Sequence, residues 1–360
     1  AMRSGAIFNN KSQPLKGEYS VREASAEFSV PLINDVPLIQ DLTLESAIRY
    51  MDYSSTGEEN AWKLSLNYTV TDEVKLRLNR SKSVRAPNIG ELYTPNSQTF
   101  RTLTDPCQKI RIESAGIYKD NVTKNCLADG IPAGWSPTSS WINGGTKPGF
   151  IQGNTDLVAE RAYDITVGMI YTPEFLDGFS VTMDYWKFDI ADQITSLTGP
   201  TVLNNCYRLE SKDNQYCALI TRDRDPNSAT YLNVIDYIEK PFNSATSTLS
   251  GVDVETNYKF DLGNFGALDL RLMATYIEKS ERNDTGLPTD QRNYEGEYGT
   301  FRWKGRFTAN YTYEDIGVAL SSSYLHDSVW DKNNWTPEVN NYNDIGSYMA
   351  WDLTSRYNVT

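Results

Sequence analysis

Two groups of acidic residues are the first candidates for chemistry in this sequence. Asp253 and Glu255 are two residues apart, so on a β-strand their side chains share one face, and Asp184 and Asp189 lie in another segment with strand character. Paired carboxylates are the catalytic groups of glycoside hydrolases. The other interpretation, which we favour, is that these charges solvate the polar face of a sheet.

Other catalytic chemistry has little support. His326 is the single histidine, so a Ser-His-Asp triad would depend on it, and no Gly-x-Ser-x-Gly element accompanies it. Metal binding by cysteine would need Cys-x-x-Cys spacing or histidine partners, and the sequence has neither. A Gly-rich phosphate-binding loop followed by lysine is also missing. The sequence therefore predicts no catalytic residues, no metal site, no cofactor and no enzymatic activity.

Aromatic and basic residues in polar segments are candidates for ligand contacts instead. The chain has 23 Tyr, 12 Phe and 8 Trp, and tyrosine-rich surfaces suit membrane interfaces and sugar binding. Such rings either stack on a ligand or anchor a loop. The Arg222–Asp225 segment could bind an ion or neutralise itself. The candidate ligand contacts are Trp135, Trp141, Tyr216, Arg222, Arg224, Tyr231, Trp330 and Trp335.

The charge and the cysteines limit the compartment and the partners. The 360 residues include 34 Lys or Arg and 47 Asp or Glu, a net charge of −13, which disfavours nucleic-acid binding. Cys107 and Cys126 form one local pair and Cys206 and Cys217 another, in polar segments that suggest loops. We therefore expect two disulfides, Cys107–Cys126 and Cys206–Cys217, and an oxidising compartment. The alternative is that the four cysteines are inert free thiols.

Alternation of apolar and polar residues dominates the elements that carry these groups. Leu268, Leu270 and Leu272 alternate with Asp269 and Arg271, a pattern typical of a strand with one apolar face. Many such runs are longer than ordinary strands of about five or six residues. A transmembrane β-strand needs about 9–11 residues, apolar outward and polar inward. The eleven candidates lie near 20–31, 42–53, 60–70, 74–84, 157–171, 179–191, 248–260, 266–279, 299–313, 316–326 and 346–359.

The links between these strands alternate between short and long. Outer-membrane barrels place short turns at the periplasmic end and long loops at the outer end, whereas a soluble sandwich has no reason to sort links this way. The short links are 34–40, 71–73, 172–178, 262–265 and 314–316. The others are 54–59, 85–156, 192–247, 280–298 and 327–345.

Four motifs then resemble the TonB-dependent outer-membrane receptor family. The first is Arg85-Ala86-Pro87 followed by Glu91-Leu92-Tyr93, similar to the family's strand-closing motif. The others are the segment 153–194, which contains Asp184-Tyr185-Trp186, the Cys206–Cys217 loop, and Ser250-Gly251-Val252-Asp253-Val254-Glu255. Together they span about residues 15–358 in the family's order.

The resemblance implies a transport component that admits an oligosaccharide or a ferric siderophore, with outer-membrane lipid and a TonB-type protein as partners. It implies a Gram-negative outer membrane and a 22-stranded barrel, so the eleven strands predict residues 1–360 to be a central part of that barrel. We expect no plug domain, signal peptide or terminal strands in this sequence. Tyrosine content and acidic loops slightly favour an oligosaccharide. The alternatives are a secreted, disulfide-containing β-sandwich that binds glycans, and a glycosidase.

Overall fold

One large antiparallel sheet organises the chain. The computed structural model describes residues 10–138, 141–142, 145–333 and 343–359. In these ranges eleven strands pair in the order β1-β2-β3-β4-β7-β8-β11-β12-β14-β15-β18, and β13 adds to β12. The strands are β1 Val21–Val36, β2 Ile39–Tyr53, β3 Gly57–Thr69, β4 Val74–Arg85, β5 Ser97–Arg101, β6 Lys147–Ile151, β7 Glu160–Tyr171, β8 Phe179–Ser196, β9 Ile220–Arg222, β10 Val234–Glu239, β11 Pro241–Asp261, β12 Ala267–Asn283, β13 Gln291–Asn293, β14 Trp303–Tyr313, β15 Ile316–Leu325, β16 Ser328–Val329, β17 Asp344–Ile345 and β18 Tyr348–Tyr357.

The apolar face of this sheet is not covered by a second sheet. Leu64 and Leu272 are exposed, and Trp62, Leu66 and Leu268 are half-buried. A β-sandwich would bury such side chains between two sheets about 10 Å apart. The sandwich prediction is therefore not supported, and the prediction of long antiparallel strands with an uncovered apolar face is confirmed.

Ion pairs between strands, either adjacent or one strand apart, hold the polar face. Arg77 on β4 donates Nε and Nη2 to Asp184 on β8 at 2.8 and 2.5 Å, across β7. Arg271 on β12 contacts Glu255 on β11 at 2.9 Å. Cross-strand pairs of opposite charge stabilise a sheet by about 0.2–1 kcal/mol each. The charges predicted to solvate one face of the sheet therefore occupy that face in pairs.

Antiparallel order places alternate links at opposite ends of the sheet. One end carries the short links 37–38, 70–73, 172–178, 262–266 and 314–315. The other end carries the links 54–56, 86–159, 197–240, 284–302 and 326–347. This distribution confirms the predicted sorting of short and long links. Within the described residues, β1 and β18 do not pair with each other, so the sheet is open.

Strands β8 and β11 extend well beyond the length that a bilayer requires. They have 18 and 21 residues, against the roughly 9–11 of a membrane-crossing strand. The prediction that β11 starts near residue 248 is wrong, because Pro241–Ser247 already pairs with β8 across bulges. The segment from Asn243 to Ser247 is polar and gives no alternation signal. The extra residues of β8 and β11 therefore extend the sheet at the end where the long links lie.

Two long links fold together into a compact unit, which we call the loop assembly, residues 86–159 and 197–240. The sequence pattern missed its helices, because each is short and lies in a polar segment. None of the helices in the described ranges is long and apolar enough to cross a bilayer. They are α1 Ile89–Tyr93, α2 Lys109–Glu113, α3 Lys119–Ala128 and α4 Gly199–Arg208, with 3-10 turns at Gly116–Tyr118, Cys217–Leu219, Gly263–Phe265 and Pro288–Asp290.

A small sheet joins the two halves of the loop assembly. Its order is β5-β6-β10-β9, with β5 and β6 from the first link and β9 and β10 from the second. The fully buried ring of Tyr237 on β10 lies against Gly149 on β6 and Gly199 at the start of α4. A Cβ atom at either glycine would come within 2.4 or 2.5 Å of that ring. Both positions therefore need glycine to let the three elements pack.

The loop assembly has its own apolar core and two disulfides. Cys107 pairs with Cys126, and Cys206 pairs with Cys217, as predicted, both at the long-link end. Each bridge stabilises by about 3 kcal/mol in the chain-entropy model. The buried cluster contains Leu103, Tyr118, Val122, Ile131, Trp141, Leu197, Val202, Leu203, Tyr207, Tyr216, Leu219, Val234, Tyr237, Phe242 and Leu287 together with three of the cysteines.

Candidate functional site

The Arg-Ala-Pro motif, through the ion pairs of Arg85, connects the first helix of the loop assembly to strands β4 and β7 of the large sheet. Arg85, the last residue of β4, donates to both oxygens of Glu160 at 2.7 and 2.6 Å and to both oxygens of Glu91 at 3.1 Å. Glu91 also accepts from the backbone of Asn88, which completes a capping box on α1. Ala86 and Pro87 follow directly, and Pro87 is fully buried. The motif residues therefore position α1, and Leu92 anchors it with 3% exposure.

A buried ion pair lies at the centre of the loop assembly. The guanidinium of Arg222 donates to Asp105 at 2.5 and 2.9 Å, to the Tyr207 hydroxyl at 2.8 Å and to the Leu232 carbonyl at 2.9 Å. The side chains of Arg222 and Asp105 are 2% and 0% exposed. Burial alone would lower the pKa of Arg222, but the facing carboxylate raises it above its ordinary value. This pair joins the two long links from within.

Asp129 lies at the edge of the same network. It accepts from Lys212 at 2.6 Å, from Tyr207 at 2.7 Å and from Arg224 at 2.8 Å. Burial by itself would raise the pKa of Asp129, but the hydrogen bonds from Lys212 and Tyr207 and the charge of Arg224 lower it overall. Burial raises the pKa of Tyr207. These charges are used within the protein to hold two loops together.

Three of the predicted ligand contacts are buried in this core. Trp141 is 6% exposed and donates its indole N–H to the Val234 carbonyl at 2.8 Å. Tyr216 is 3% exposed and packs against Phe242 with ring centroids 5.1 Å apart. Arg222 is occupied by Asp105 as described. The structure therefore corrects these three predictions, because core packing, not ligand contact, accounts for each side chain.

The remaining candidates differ in how accessible they are. Trp135 is half-buried, with the Arg222 guanidinium 5.8 Å from its ring centroid. Arg224 is exposed but bound to Asp129, and Tyr231 is exposed. Trp330 is 55% exposed and remains available to a ligand. The prediction for Trp335 lies outside the described residues.

Trp330 belongs to an exposed aromatic pair that the sequence did not reveal. Its ring stacks on that of Tyr298 with centroids 5.7 Å apart and planes inclined by 24°. Tyr298 is 60% exposed and also contacts the edge of Phe301. The two stacked residues come from separate links, 284–302 and 326–347, so the sequence alone could not place them together. Exposed rings at this end of the sheet can stack on a sugar or on another planar group.

A polar cavity of about 450 Å³ opens between α4 and the link 284–302. The sequence analysis missed this group of residues, because the helix was not predicted. Polar residues at three- and four-residue spacing, Thr198, Thr201, Asn205 and Arg208, are the signal that could have found it. The lining comprises Thr195, Ser196, Leu197, Thr198, Thr201, Asn204, Asn205, Arg208, Asp284, Thr285, Asp290, Arg292 and Tyr294.

The acidic pairs considered for glycoside hydrolysis have structural partners. Asp253 accepts from the indole N–H of Trp186 at 2.9 Å, and Glu255 is bound by Arg271. Asp184 is bound by Arg77, and Asp189 contacts Lys187 at 2.7 Å. These contacts support the interpretation that the carboxylates stabilise the polar face of the sheet.

Comparison with known proteins gives one family model that matches residues 5–360, described as TonB dependent receptor-like, beta-barrel. The vitamin B12 transporter of Photobacterium profundum is 28% identical over 81 residues, which is 22% of this chain and 13% of that protein. The chain therefore aligns with only a small part of that curated relative.

Among solved structures, the chain is similar to the ferric enterobactin receptor of Pseudomonas aeruginosa in complex with enterobactin, with a TM-score of 0.61 and 14% identity. The match covers 95% of this chain and 38% of that one. The siderophore receptor PirA of Acinetobacter baumannii gives a TM-score of 0.56 and 13% identity, covering 94% of this chain and 40% of that one. These likenesses show the fold, and the chain spans about two fifths of each receptor.

Proposed function

Because this chain belongs to the TonB-dependent receptor family, we propose that it forms part of an outer-membrane transporter that takes up a scarce ligand. Members of this family are transporters of the Gram-negative outer membrane, not enzymes. The observation that carries the proposal is the segregation of the links. A uniformly short set lies at one end of the sheet, and a folded, disulfide-bonded loop assembly lies at the other.

We propose further that residues 1–360 contribute the central strands of a larger barrel. Eleven strands are half of the 22 found in plugged outer-membrane transporters. Unpaired strand edges do not survive in hydrocarbon, because each unsatisfied backbone group costs several kcal/mol there. The edges of β1 and β18 would therefore pair with other strands of the whole receptor. A plug and a TonB-type protein would complete the energised pathway.

For the ligand, we favour an oligosaccharide over a ferric siderophore. Acidic residues outnumber basic ones in the links at the loop end, so the field there disfavours an anionic chelate. The exposed Tyr298–Trp330 pair offers a stacking face that requires no charge on the ligand. The second candidate is a metal chelate, and the local likeness to a vitamin B12 transporter favours it.

The test uses the whole receptor purified in detergent. Calorimetry measures the binding of maltoheptaose and cellohexaose as neutral oligosaccharides, and of ferric enterobactin and cyanocobalamin as metal chelates. Binding of a neutral oligosaccharide supports the favoured ligand. Binding of either chelate alone refutes that choice while it leaves the transporter proposal intact. Retained growth on the bound compound after loss of the TonB-type protein would contradict energised uptake.

A further inference from the structure

We propose that the cavity beside α4 is a binding subsite for one or two rings of a neutral, hydroxyl-rich ligand. The inference rests on the proposed function and assigns part of the ligand contact to this chain's own residues. We call this site the α4 pocket, defined by Thr201, Asn205, Arg208, Asp290, Arg292 and Tyr294. Its volume of about 450 Å³ lies within the range of about 300–1,000 Å³ typical of small-molecule sites.

The helix α4 is built to present polar groups to this pocket. Val202, Leu203 and Tyr207 are 0–1% exposed and pack in the core of the loop assembly. The opposite side carries Thr198 and Thr201, whose hydroxyl oxygens are 3.2 Å apart. The Cys206–Cys217 disulfide fixes the helix from its buried side. The pocket wall is therefore positioned by covalent and apolar contacts that a ligand would not disturb.

Asn205 helps to hold the wall of the pocket in place. The residue is 1% exposed, and its side chain is hydrogen-bonded to Tyr216, which belongs to the buried core of the loop assembly. The groups that a ligand can reach are therefore those of the more exposed lining residues, such as Thr201 and Arg292.

The charges of the pocket balance, which distinguishes a neutral ligand from an anion. Arg208 lies 4.0 Å from Asp290 and rests over the ring of Tyr118 at 5.4 Å. Asp284 pairs with Arg282 at 2.5 Å, and Asp290 accepts from Thr285 at 2.6 Å.

Arg292 is exposed on β13 beside these groups. Two arginines and two aspartates therefore face the same space, so a polyanion would meet as many acidic as basic groups. Neighbouring hydroxyls of a sugar ring can instead donate to the carboxylates and accept from the arginine N–H groups.

The experiment compares pocket variants with matched variants elsewhere in the loop assembly. Thr201→Val removes one pocket hydroxyl without a change of shape, and Thr123→Val makes the same change on α3. Arg292→Ala removes a pocket donor, and Arg111→Ala makes the same change on exposed α2. Each variant is made in the whole receptor, and its melting curve is compared with that of the parent. Binding of maltoheptaose and cellohexaose is then measured by calorimetry.

We expect Thr201→Val and Arg292→Ala to weaken binding roughly tenfold each, because each removes a hydrogen-bond partner of the ligand. The Thr123→Val and Arg111→Ala receptors should bind like the parent. If the parent binds an oligosaccharide and both pocket variants bind it equally well, the α4 pocket is refuted and the proposed function stands. If the parent binds only ferric enterobactin or cyanocobalamin, both the hydroxyl-rich ligand and the pocket assignment are overturned.

Discussion

Removal of the Arg222 side chain should loosen the loop assembly far more than removal of Arg224, two residues away. Arg222→Ala leaves the carboxylate of Asp105 with 0% side-chain exposure and without its cationic partner. Breaking a buried pair in this way costs about 3–5 kcal/mol. Arg224, by contrast, is 49% exposed in its pair with Asp129. An exposed ion pair contributes about 0–1 kcal/mol.

Hydrogen exchange followed by mass spectrometry measures this difference locally, because the sheet need not unfold. A loss of about 3–5 kcal/mol raises the opening constant roughly 150- to 5,000-fold, since about 1.36 kcal/mol corresponds to tenfold. We expect this acceleration for amides of β9 and α4 in the Arg222→Ala receptor. In the Arg224→Ala receptor the same amides should exchange at most about fivefold faster.

A double variant tests the mechanism of the loss. Asp105→Leu combined with Arg222→Met removes both charges and fills similar volume, so it should recover much of the protection that Arg222→Ala loses. Equal exchange in the Arg222→Ala and Arg224→Ala receptors would refute the reasoning. So would a double variant less protected than Arg222→Ala, because the unpaired carboxylate could then not be the cause.

Four further perturbations have expected outcomes. Cys206→Ser with Cys217→Ser should destabilise α4 by about 3 kcal/mol, seen as faster proteolysis of the loop assembly under oxidising conditions. Acidification should loosen the loop assembly, because folding lowers the pKa of the Asp129 carboxyl. The stability that ionised Asp129 adds to the folded loop assembly is complete above its unfolded pKa of about 3.9, and it is lost as the pH falls through the lower folded pKa. Trp141→Ala should cost about 3–5 kcal/mol of loop stability because the ring is 6% exposed. Trp330→Ala should leave stability unchanged and weaken ligand binding.

Three of these outcomes have a matched comparison. Dithiothreitol should accelerate proteolysis of the parent more than that of the serine variant, which keeps only the Cys107–Cys126 bridge. Asp129→Asn should flatten the pH dependence of loop exchange below about pH 4, and an unchanged slope would contradict the assignment. For Trp330→Ala the matched variant is Phe175→Ala, because Phe175 is 81% exposed in the link 172–178 at the other end of the sheet. Equal ligand binding by these two variants would count against the stacking face.

The strands of the large sheet could be read from the sequence because their signal is local. An apolar face and a polar face alternate with a period of two, as at Leu268 to Leu272, and this pattern is present whatever the rest of the chain does. The order of short and long links followed from the same pattern, and both disulfides followed from local cysteine pairs. The pattern failed at Pro241–Ser247, where polar side chains are held by pairing with β8.

The loop assembly was decided by contacts between residues far apart in the chain. Arg222 meets Asp105 across 117 residues, and β6 pairs with β10 although they belong to different links. Trp141 looked like a ligand contact because its neighbours are polar, but a second link covers its ring. The polar spacing of Thr198, Thr201, Asn205 and Arg208 is a local signal, but only the packing of α4 shows which of these side chains are buried. Side-chain alternation therefore determined the sheet, whereas long-range packing alone decided which loop residues are buried and which are exposed.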